Sequence, residues 1–227
     1  MIPQLNKYKL EFPDPKDAND DGIVAWGGDL NPSRLLRAYQ SGIFPWYSQD
    51  DPIIWWSVNP RLIMELDDFK LSRSLKKSMK KFTYKFDNAF KKVIQNCKTV
   101  ERNDKNGTWI NDDVIQAYCE LHDLGIAHSI ESYLDDKLVG GLYGVVIGKV
   151  FCGESMFAHT TNASKSAYAT LIKHLKHWGY DFIDCQVPAN HLKSLGAKEI
   201  SRDYFLERLN KSNFEKLEHF WEINTSL

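Results

Sequence analysis

The sequence predicts an α+β protein in which helices and strands form mixed α/β layers. Three strand-like runs follow one another at 127–134, 137–148 and 150–157, joined by turns at 135–136 and 148–149. A helix at 162–178 comes next, ended by Gly179, and a buried-type strand with Asp184 follows it. Consecutive strands that pass into a helix–strand unit predict one layered sheet with helices packed on it.

This order of elements, strand–strand–strand–helix–strand, is that of the N-acetyltransferase-like fold, although a fold alone does not give a function. We therefore predict an acetyltransferase-like catalytic domain at residues 62–227. Residues 1–61 are rich in Pro, Gly and Trp, and they predict a small aromatic-rich N-terminal domain. Most of its rings are expected to form a small core, while Trp46 is a candidate for a wall that contacts substrate.

Helices are predicted both before and after the three strands along the chain. Asn31 before Pro32 begins one helix, and Gly42 ends it. Three more are predicted from N-caps or apolar spacing, at 87–97, at 111–122 and after Ser201.

The composition indicates a cytoplasmic protein that is expected to be a monomer without a membrane partner. Net charge is −1 over 227 residues, so any nucleic-acid site must be a local patch. The four cysteines form no C-x-x-C pair, which favours free thiols in a reducing compartment. No apolar run is long enough to span a bilayer.

One such basic patch is predicted on a helix at 70–81, which Ser72 can cap. Its basic side chains share one face at i, i+3, i+4 and i+7, and the opposite face is apolar. A basic stripe is usually a solvated surface, but this run contains no acid, and phosphate binding is its simplest use. The candidate phosphate-binding residues are Arg73, Lys76, Lys77 and Lys80.

Three polar groups on core-like strands form a candidate site. Alternation places Asp184 and Gln186 on one face of their strand, and Glu154 on one face of the preceding strand with Cys152 and Met156. A polar group on a central strand is costly unless it is paired or functional. The structural alternative is that such residues face solvent or cap a turn.

Several other chemistries are disfavoured by the sequence. His174 and His177 have no carboxylate or cysteine at ligand spacing, so we expect a surface pair and no metal. The loop at 158–168, AHTTNASKSAY, has no glycine for a pyrophosphate, so no CoA and no other cofactor is expected. Two rival hypotheses stay open: a CoA-dependent N-acetyltransferase, and a non-enzymatic RNA-binding module.

The chain resembles the leucyl/phenylalanyl-tRNA–protein transferase family over about residues 12–205. The resemblance rests on motifs that occur in order: GGDL at 27–30, GIFPWYS at 42–48, WWS-x-x-PR at 55–61, GTWI at 107–110, LVGGLYG at 138–144, CGESMF at 152–157, NASK at 162–165, DCQV at 184–187 and H-x-x-SLGA at 191–197. Two segments depart from the expected pattern, AHTT at 158–161 and PANH at 188–191, and they put only fine substrate contacts in doubt.

The resemblance implies an aminoacyltransferase that needs neither metal nor CoA. It would move Leu or Phe from aminoacyl-tRNA to the N-terminal Arg or Lys of a protein, and so mark that protein for N-degron proteolysis. Asp184 and Gln186 match the catalytic pair of the family, while Glu154 and Trp109 match substrate-binding positions. The basic helix is placed like the tRNA-binding patch of the family.

The expected mechanism needs little beyond alignment, because the donor ester is already activated. The carbonyl of Gln186 would accept a hydrogen bond from the α-amine, and Asp184 would hold the side-chain amide of Gln186. Apolar walls would select Leu and Phe by shape, with weak transfer of Met. For each candidate wall a core position is the alternative; the candidates are Met156, Phe157, Tyr168, Leu171 and Ile183.

Overall fold

A computed structural model describes residues 1–100, 109–213, 215 and 217–227. The strands in these ranges are β1 (Gln4–Leu5), β2 (Ile23–Gly27), β3 (Phe44–Pro45), β4 (Ile54–Trp56), β5 (Arg61–Glu65), β6 (Thr83–Phe86), β7 (Ala127–Leu134), β8 (Lys137–Ile147), β9 (Val150–Ala158), β10 (Phe182–Gln186) and β11 (Lys198–Ile200). The α-helices are α1 (Pro32–Gln40), α2 (Arg73–Met79), α3 (Phe90–Thr99), α4 (Asp112–Asp123), α5 (Ala163–Trp178), α6 (Asn190–Ser194) and α7 (Arg202–Ser212). None of the helices in the described ranges is long and apolar enough to cross a membrane.

The strands form two sheets, and the larger one confirms the predicted α+β class. A four-stranded sheet has the order β1-β2-β4-β3, and a seven-stranded sheet has the order β11-β5-β10-β9-β8-β7-β6. Strands β7, β8 and β9 are consecutive and antiparallel, whereas β10 returns parallel to β9 after α5. This is the acetyltransferase-like order of elements that the sequence predicts.

Strand β5 completes the large sheet in a way that the sequence did not reveal. It lies between β10 and β11 and is antiparallel to both. The small sheet ends at Trp56, and β5 begins at Arg61, only a few residues later. The division of the chain into domains at residue 61 stays a prediction.

Both faces of the large sheet are buried, as expected for a sheet with helices on each side. On one face, α1, α3, α4 and α7 form a core that the small sheet shares, so that Tyr39 and Trp55 belong to the same cluster as Tyr118 and Phe205. On the other face, α5 and α6 pack over a second cluster, which includes Tyr168 and Ile183. The N-terminal region is therefore part of the main core.

Four predicted helix starts are confirmed by their caps. The side chains of Asn31, Ser72, Asn111 and Ser201 each accept a hydrogen bond from a backbone N–H in the first turn. The prediction for α3 is wrong at its start, because Asp87 takes a left-handed conformation (φ +53°) and the helix begins only at Phe90.

The C-terminal segment explains why a second prediction is wrong. His174 is not a surface residue: its side chain is 2% exposed. Its Nδ1 lies 2.8 Å from the carbonyl oxygen of Thr170, and its Nε2 accepts the backbone N–H of Asn224 at 3.0 Å. Trp221 of the same segment stacks on His128 with ring centroids 4.0 Å apart, so residues 217–227 cover this side of the second core.

The glycine after α1 should be far less tolerant of substitution than the one after α4. Gly42 and Gly125 both have positive φ (+74° and +69°), so Ala at either position costs about 1–2 kcal/mol in backbone strain. At Gly42 the added Cβ would also lie 2.5 Å from Leu206 of α7, whereas nothing lies within 4 Å at Gly125. We expect Gly42→Ala to lower the free energy of unfolding by a further ~1–3 kcal/mol in urea titrations. Equal losses of unfolding free energy in the two variants would show that Leu206 of α7 moves aside without a measurable cost.

Candidate active site

A cavity opens where strands β9 and β10 cease to pair. Their parallel register ends at Cys152 opposite Asp184, and a cavity of about 450 Å³ lies beyond that point. Residues of both strands line it, together with residues of α5, α6 and the segment after β3. A cavity of this size between strand ends is a typical place for a small-molecule site.

A β-bulge on β9 directs Glu154 into this opening. Ser155 pairs with Tyr143 and Gly153 pairs with Gly144, so Glu154 has no partner on β8. An extra residue of this kind re-aims its side chain and shifts the alternation. Cys152 consequently lies in the core shared with the small sheet, whereas Met156 packs on the opposite core. The prediction that Cys152 and Met156 share one face is wrong for this reason.

A second irregularity, on β10, directs Gln186. The register against β5 shifts between Asp184 and Gln186, which leaves Cys185 as the extra residue. Gln186 itself takes a left-handed conformation with φ +60°, which costs a residue other than glycine about 1–2 kcal/mol. Such strain persists only where surrounding contacts enforce it, and it is common at functional sites.

The two bulged strands are joined by a hydrogen bond across the opening. The side-chain amide nitrogen of Gln186 donates to Oε1 of Glu154 at 2.7 Å. The other carboxylate oxygen of Glu154 accepts from the hydroxyl of Tyr118 at 3.1 Å, and Tyr118 is hydrogen-bonded to Tyr39 of α1. Burial raises the pKa of Glu154 to about 7, although hydrogen bonding by Tyr39, Gln186 and Tyr118 acts in the opposite direction.

Behind the cavity, a buried ion pair fixes Asp184. Nε and Nη2 of Arg61 donate to the two oxygens of Asp184 at 2.8 and 2.6 Å, and both side chains are 1% exposed. The Arg61 guanidinium lies between the rings of Phe44 and Phe205, 4.8 and 4.3 Å from their centroids. Its Nη1 also donates to the carbonyl oxygen of Gly42 at 3.2 Å.

This arrangement corrects the predicted contact between Asp184 and Gln186. Oδ1 of Asp184 accepts the backbone N–H of Gln186 at 2.9 Å, not the side-chain amide. The carboxylate that binds the side-chain amide is Glu154. Asp184 thus supports the backbone of Gln186 from behind and does not line the cavity.

The structure brings most of the predicted substrate-binding residues to the cavity. Those that line it are Trp46, Trp109, Glu154, Met156, Tyr168, Ile183 and the catalytic candidate Gln186. Two do not, which corrects the prediction that they form its walls. Phe157, 2% exposed, lies in the core shared with the small sheet, and Leu171, 1% exposed, points from α5 into the second core.

Sequence reasoning missed three side chains that support the site. Tyr39 and Tyr118 occupy apolar faces of helices and give no polar signal, although Tyr39 and Tyr118 reach Glu154 through the hydrogen bonds above. Arg61 did leave a signal, since it is a basic residue at the head of an apolar run, RLIME. Gly107 and Thr108 of the GTWI motif lie outside the described residues.

The basic helix has the predicted form. It spans Arg73–Met79 behind its N-cap Ser72, and Leu75 is its buried residue. All four candidate tRNA-binding side chains are exposed, and within the described part of the chain none of them forms a salt bridge; they are Arg73, Lys76, Lys77 and Lys80.

The class of protein follows from the cavity and the fold together. A mostly apolar cavity with an amide–carboxylate pair at its base, in an acetyltransferase-like sheet, is suited to acyl transfer, the chemistry of an acyltransferase. Throughout the described ranges, the cavity included, no three His, Cys, Asp or Glu side chains are grouped so as to hold a metal ion.

Comparison with known proteins makes the assignment specific. Residues 63–210 match the family model described as leucyl/phenylalanyl-tRNA protein transferase, and residues 28–59 match the N-terminal domain of the same family. The chain therefore belongs to the leucyl/phenylalanyl-tRNA–protein transferase family and is an aminoacyltransferase. It is 69% identical to a protein of that name from Sulfurimonas denitrificans over 98% of each chain. It is 48% identical to one from Flavobacterium johnsoniae, over 88% of this chain and 95% of that one.

Solved structures are more distant. L-PGS from Bacillus licheniformis is 11% identical, with a TM-score of 0.42 over 66% of this chain and 50% of that chain. An aminoglycoside acetyltransferase from an uncultured soil metagenomic sample is 16% identical, with a TM-score of 0.37 over 64% and 98%. With TM-scores below 0.5, neither likeness supports a conclusion about this chain.

The raised pKa of Glu154 predicts a pH-dependent stability. The folded pKa, about 7, exceeds the ordinary 4.5, so the folded state retains a proton between these values that the unfolded state releases. The contribution of Glu154 is therefore fully present below pH 4.5 and is lost as pH rises through 7, by about 1.4 kcal/mol per pH unit.

Glu154→Gln cannot ionise and should lack this loss. We expect the free energy of unfolding of the variant, relative to the wild type, to rise between pH 5 and pH 8 in urea titrations. Because every other titrating group is common to both proteins, the difference reports Glu154. Parallel curves would mean that Glu154 ionises as an ordinary carboxylate.

Proposed function

We propose that this enzyme transfers Leu or Phe, and Met weakly, from aminoacyl-tRNA to the α-amine of an N-terminal Arg or Lys. The acceptor protein would thereby be marked for N-degron proteolysis in the cytoplasm, and the enzyme would act as a monomer without a cofactor. The observation that carries the proposal is the hydrogen bond between Gln186 and Glu154 at the base of the cavity. The family membership supplies the donor and the acceptor class.

The apolar side of the cavity would hold the aminoacyl side chain. Tyr168 and Ile183 line it from the second core, and Met156 lies beside them on β9. Apolar walls distinguish substrates by only ~1–3 kcal/mol per methylene, so a pocket that accepts Leu and Phe also admits Met. Trp109 at the same cavity is suited to stack on the terminal adenosine of the tRNA.

Gln186 would align the attacking amine. Its side-chain N–H is bound to Glu154, so its carbonyl oxygen remains available to the cavity as an acceptor. When Glu154 is ionised, above about pH 7, its negative carboxylate on the N–H side polarises the amide and makes the amide oxygen a better acceptor. The role first expected of Asp184 thus passes to Glu154, while Asp184 positions the backbone of Gln186.

The reaction needs no covalent enzyme intermediate. The acceptor first loses a proton to solvent, since an α-ammonium has no free electron pair and its pKa is about 8. The neutral amine, hydrogen-bonded to Oε1 of Gln186, then attacks the ester carbon of the donor. The peptide bond forms, the ester C–O bond breaks, and the leaving ribose oxygen takes the proton that the nitrogen gives up.

The exposed face of α2 would bind the phosphates of the tRNA. Its lysines carry no counter-charge from the described residues, and they project from a capped helix packed on α5. Several positive charges on one helix can contact successive phosphates of a nucleic acid, and binding is favoured because it releases the counterions of those phosphates.

The first test is transfer of labelled leucine from leucyl-tRNA to two peptides that differ only in an N-terminal Arg or Ala. We expect transfer to the Arg peptide alone, without added CoA or metal. Gln186→Ala should lower kcat about 10²–10³-fold, since one positioned polar group is lost at the reacting atoms.

Gln116→Ala is the matched control, because Gln116 is exposed on α4 and, among the described residues, its side chain bonds only Glu120 one turn later. It should transfer leucine as the wild type does. Acylation that requires acetyl-CoA would favour the rival acetyltransferase, and a trapped acyl-enzyme would contradict direct attack.

The second test concerns α2. Lys76→Ala combined with Lys80→Ala should raise KM for leucyl-tRNA roughly tenfold at 0.15 M salt and reduce the slope of log affinity against log salt by about 2. Lys7→Ala with Lys9→Ala removes the same charge from exposed N-terminal positions and should change neither. An unchanged KM and slope in the α2 variant would remove this helix from the tRNA site.

A further inference from the structure

Positive charge on this protein extends beyond α2. Residues 70–98 carry ten Lys and Arg side chains but a single acid, Asp87, although the net charge of the whole chain is −1. The four basic residues assigned to α2 account for less than half of that excess. Several of the others meet at one place in the fold.

That place is a cavity of about 600 Å³ at the corner between β6, α3 and the β7–β8 hairpin, separate from the one beside Gln186. Lys85 of β6 and the neighbouring Lys91 and Lys92 of α3 line it, and all three are exposed. The ammonium of Lys85 lies 5.2 Å from the centroid of the Tyr133 ring, which also lines the cavity. The hydroxyl of Tyr133 accepts a hydrogen bond from Asn88 at 2.9 Å.

Two carboxylates at the floor of this cavity, those of Asp87 and Glu131, are engaged in internal hydrogen bonds. Asp87 accepts the backbone N–H of Ser129 at 2.7 Å with one oxygen, and its other oxygen lies 2.7 Å from Nδ1 of His128. Glu131 is fully buried and accepts hydrogen bonds from the backbone N–H groups of Asn88 and Ala89 at 3.4 and 3.3 Å. These bonds fix the loop before α3 and occupy its amides, so the lysine side chains are what a ligand would meet.

The three lysines of this cavity resemble those of α2, because no described carboxylate forms a salt bridge with them, whereas several other lysines are paired. Lys98, Lys193 and Lys211 each pair with a carboxylate at 2.6–2.7 Å. Across the described part of the chain, no carboxylate forms a salt bridge with the three lysines of the cavity, and Asp136 is the exposed acid on its rim. Clustered like charges repel one another, which favours an anionic ligand with several charges.

Strand β6 connects this cavity with the basic helix. Among the described strands it pairs with β7 alone, and it is the edge of the large sheet there. Tyr84 reaches the carbonyl oxygen of Met79 in α2 on one face, whereas Lys85 belongs to the other face, on which α3 packs. Basic side chains therefore flank the same sheet edge from both sides.

We infer that this cavity binds a second stretch of the tRNA phosphate backbone, away from the aminoacylated end. The inference rests on the proposed function and extends it to a site that α2 does not cover. A ligand with one phosphate per nucleotide can engage α2 and the cavity at once, and each engaged phosphate adds to the salt dependence. Unlike Gln186, the three lysines take no part in the reaction.

The test uses the full-length enzyme with Lys85, Lys91 and Lys92 all changed to Gln, and two donors. One donor is leucyl-tRNA, and the other is the leucyl ester of adenosine, which has no phosphate backbone. We expect KM for leucyl-tRNA to rise about tenfold or more at 0.15 M salt, and the salt slope of tRNA binding to fall by about 2–3. kcat, and transfer from leucyl-adenosine, should stay as in the wild type.

The control replaces Lys7, Lys9 and Lys16 by Gln, which removes the same charge from exposed N-terminal positions. An equal loss in this control would reduce the effect to bulk charge and overturn the inference, as would an unchanged KM and salt slope in the cavity variant. Urea midpoints verify that both variants are folded. If the wild type transferred leucine from neither donor, the proposed function would fail. The affinities of wild type and variant for uncharged tRNA would then still test whether this cavity binds tRNA.

Discussion

The buried ion pair between Arg61 and Asp184 is the interaction on which the site depends. It joins the first residue of β5 to β10, and its guanidinium is held by the segment after α1 and by α7. Removing one partner of such a pair leaves an unpaired buried charge and typically costs about 3–5 kcal/mol. Because Asp184 also holds the backbone N–H of Gln186, the ion pair fixes the strained residue that faces the substrate.

The site itself is made by departures from regular structure. In a regular strand β9, Glu154 would pair with a residue of β8, and in a regular strand β10, Gln186 would not have a positive φ. Each strand carries one extra residue where the two strands separate, and the two re-aimed side chains meet across the gap. The regular sheet supplies a rigid frame, and the bulges supply the convergence of polar groups.

The sequence reveals what is encoded locally. Strands β7 to β9, helix α5 and the strand bearing Asp184 follow from periodicity, turns and caps within a few residues. Strand β5 does not, because it is short and its partners β10 and β11 lie more than a hundred residues away. The bulges have no local signature either, and assuming strict alternation through Glu154 is what placed Cys152 and Met156 on one face. Arg61 could have been found as a charge heading an apolar strand, but its partner Asp184 could not be identified from spacing.

The ring of Phe205 on the Arg61 guanidinium has a consequence for how the enzyme comes into being. This ring belongs to α7, which follows Asp184 and Gln186 along the chain, whereas Phe44 on the other side of the guanidinium precedes them. A ribosome must therefore have released α7 before the ion pair can be enclosed. A nascent chain stalled before α7 carries the residues of β9 and β10 that face the cavity, yet it lacks the ring that covers the Arg61 guanidinium. Catalytic competence is thus delayed until α7 has been made.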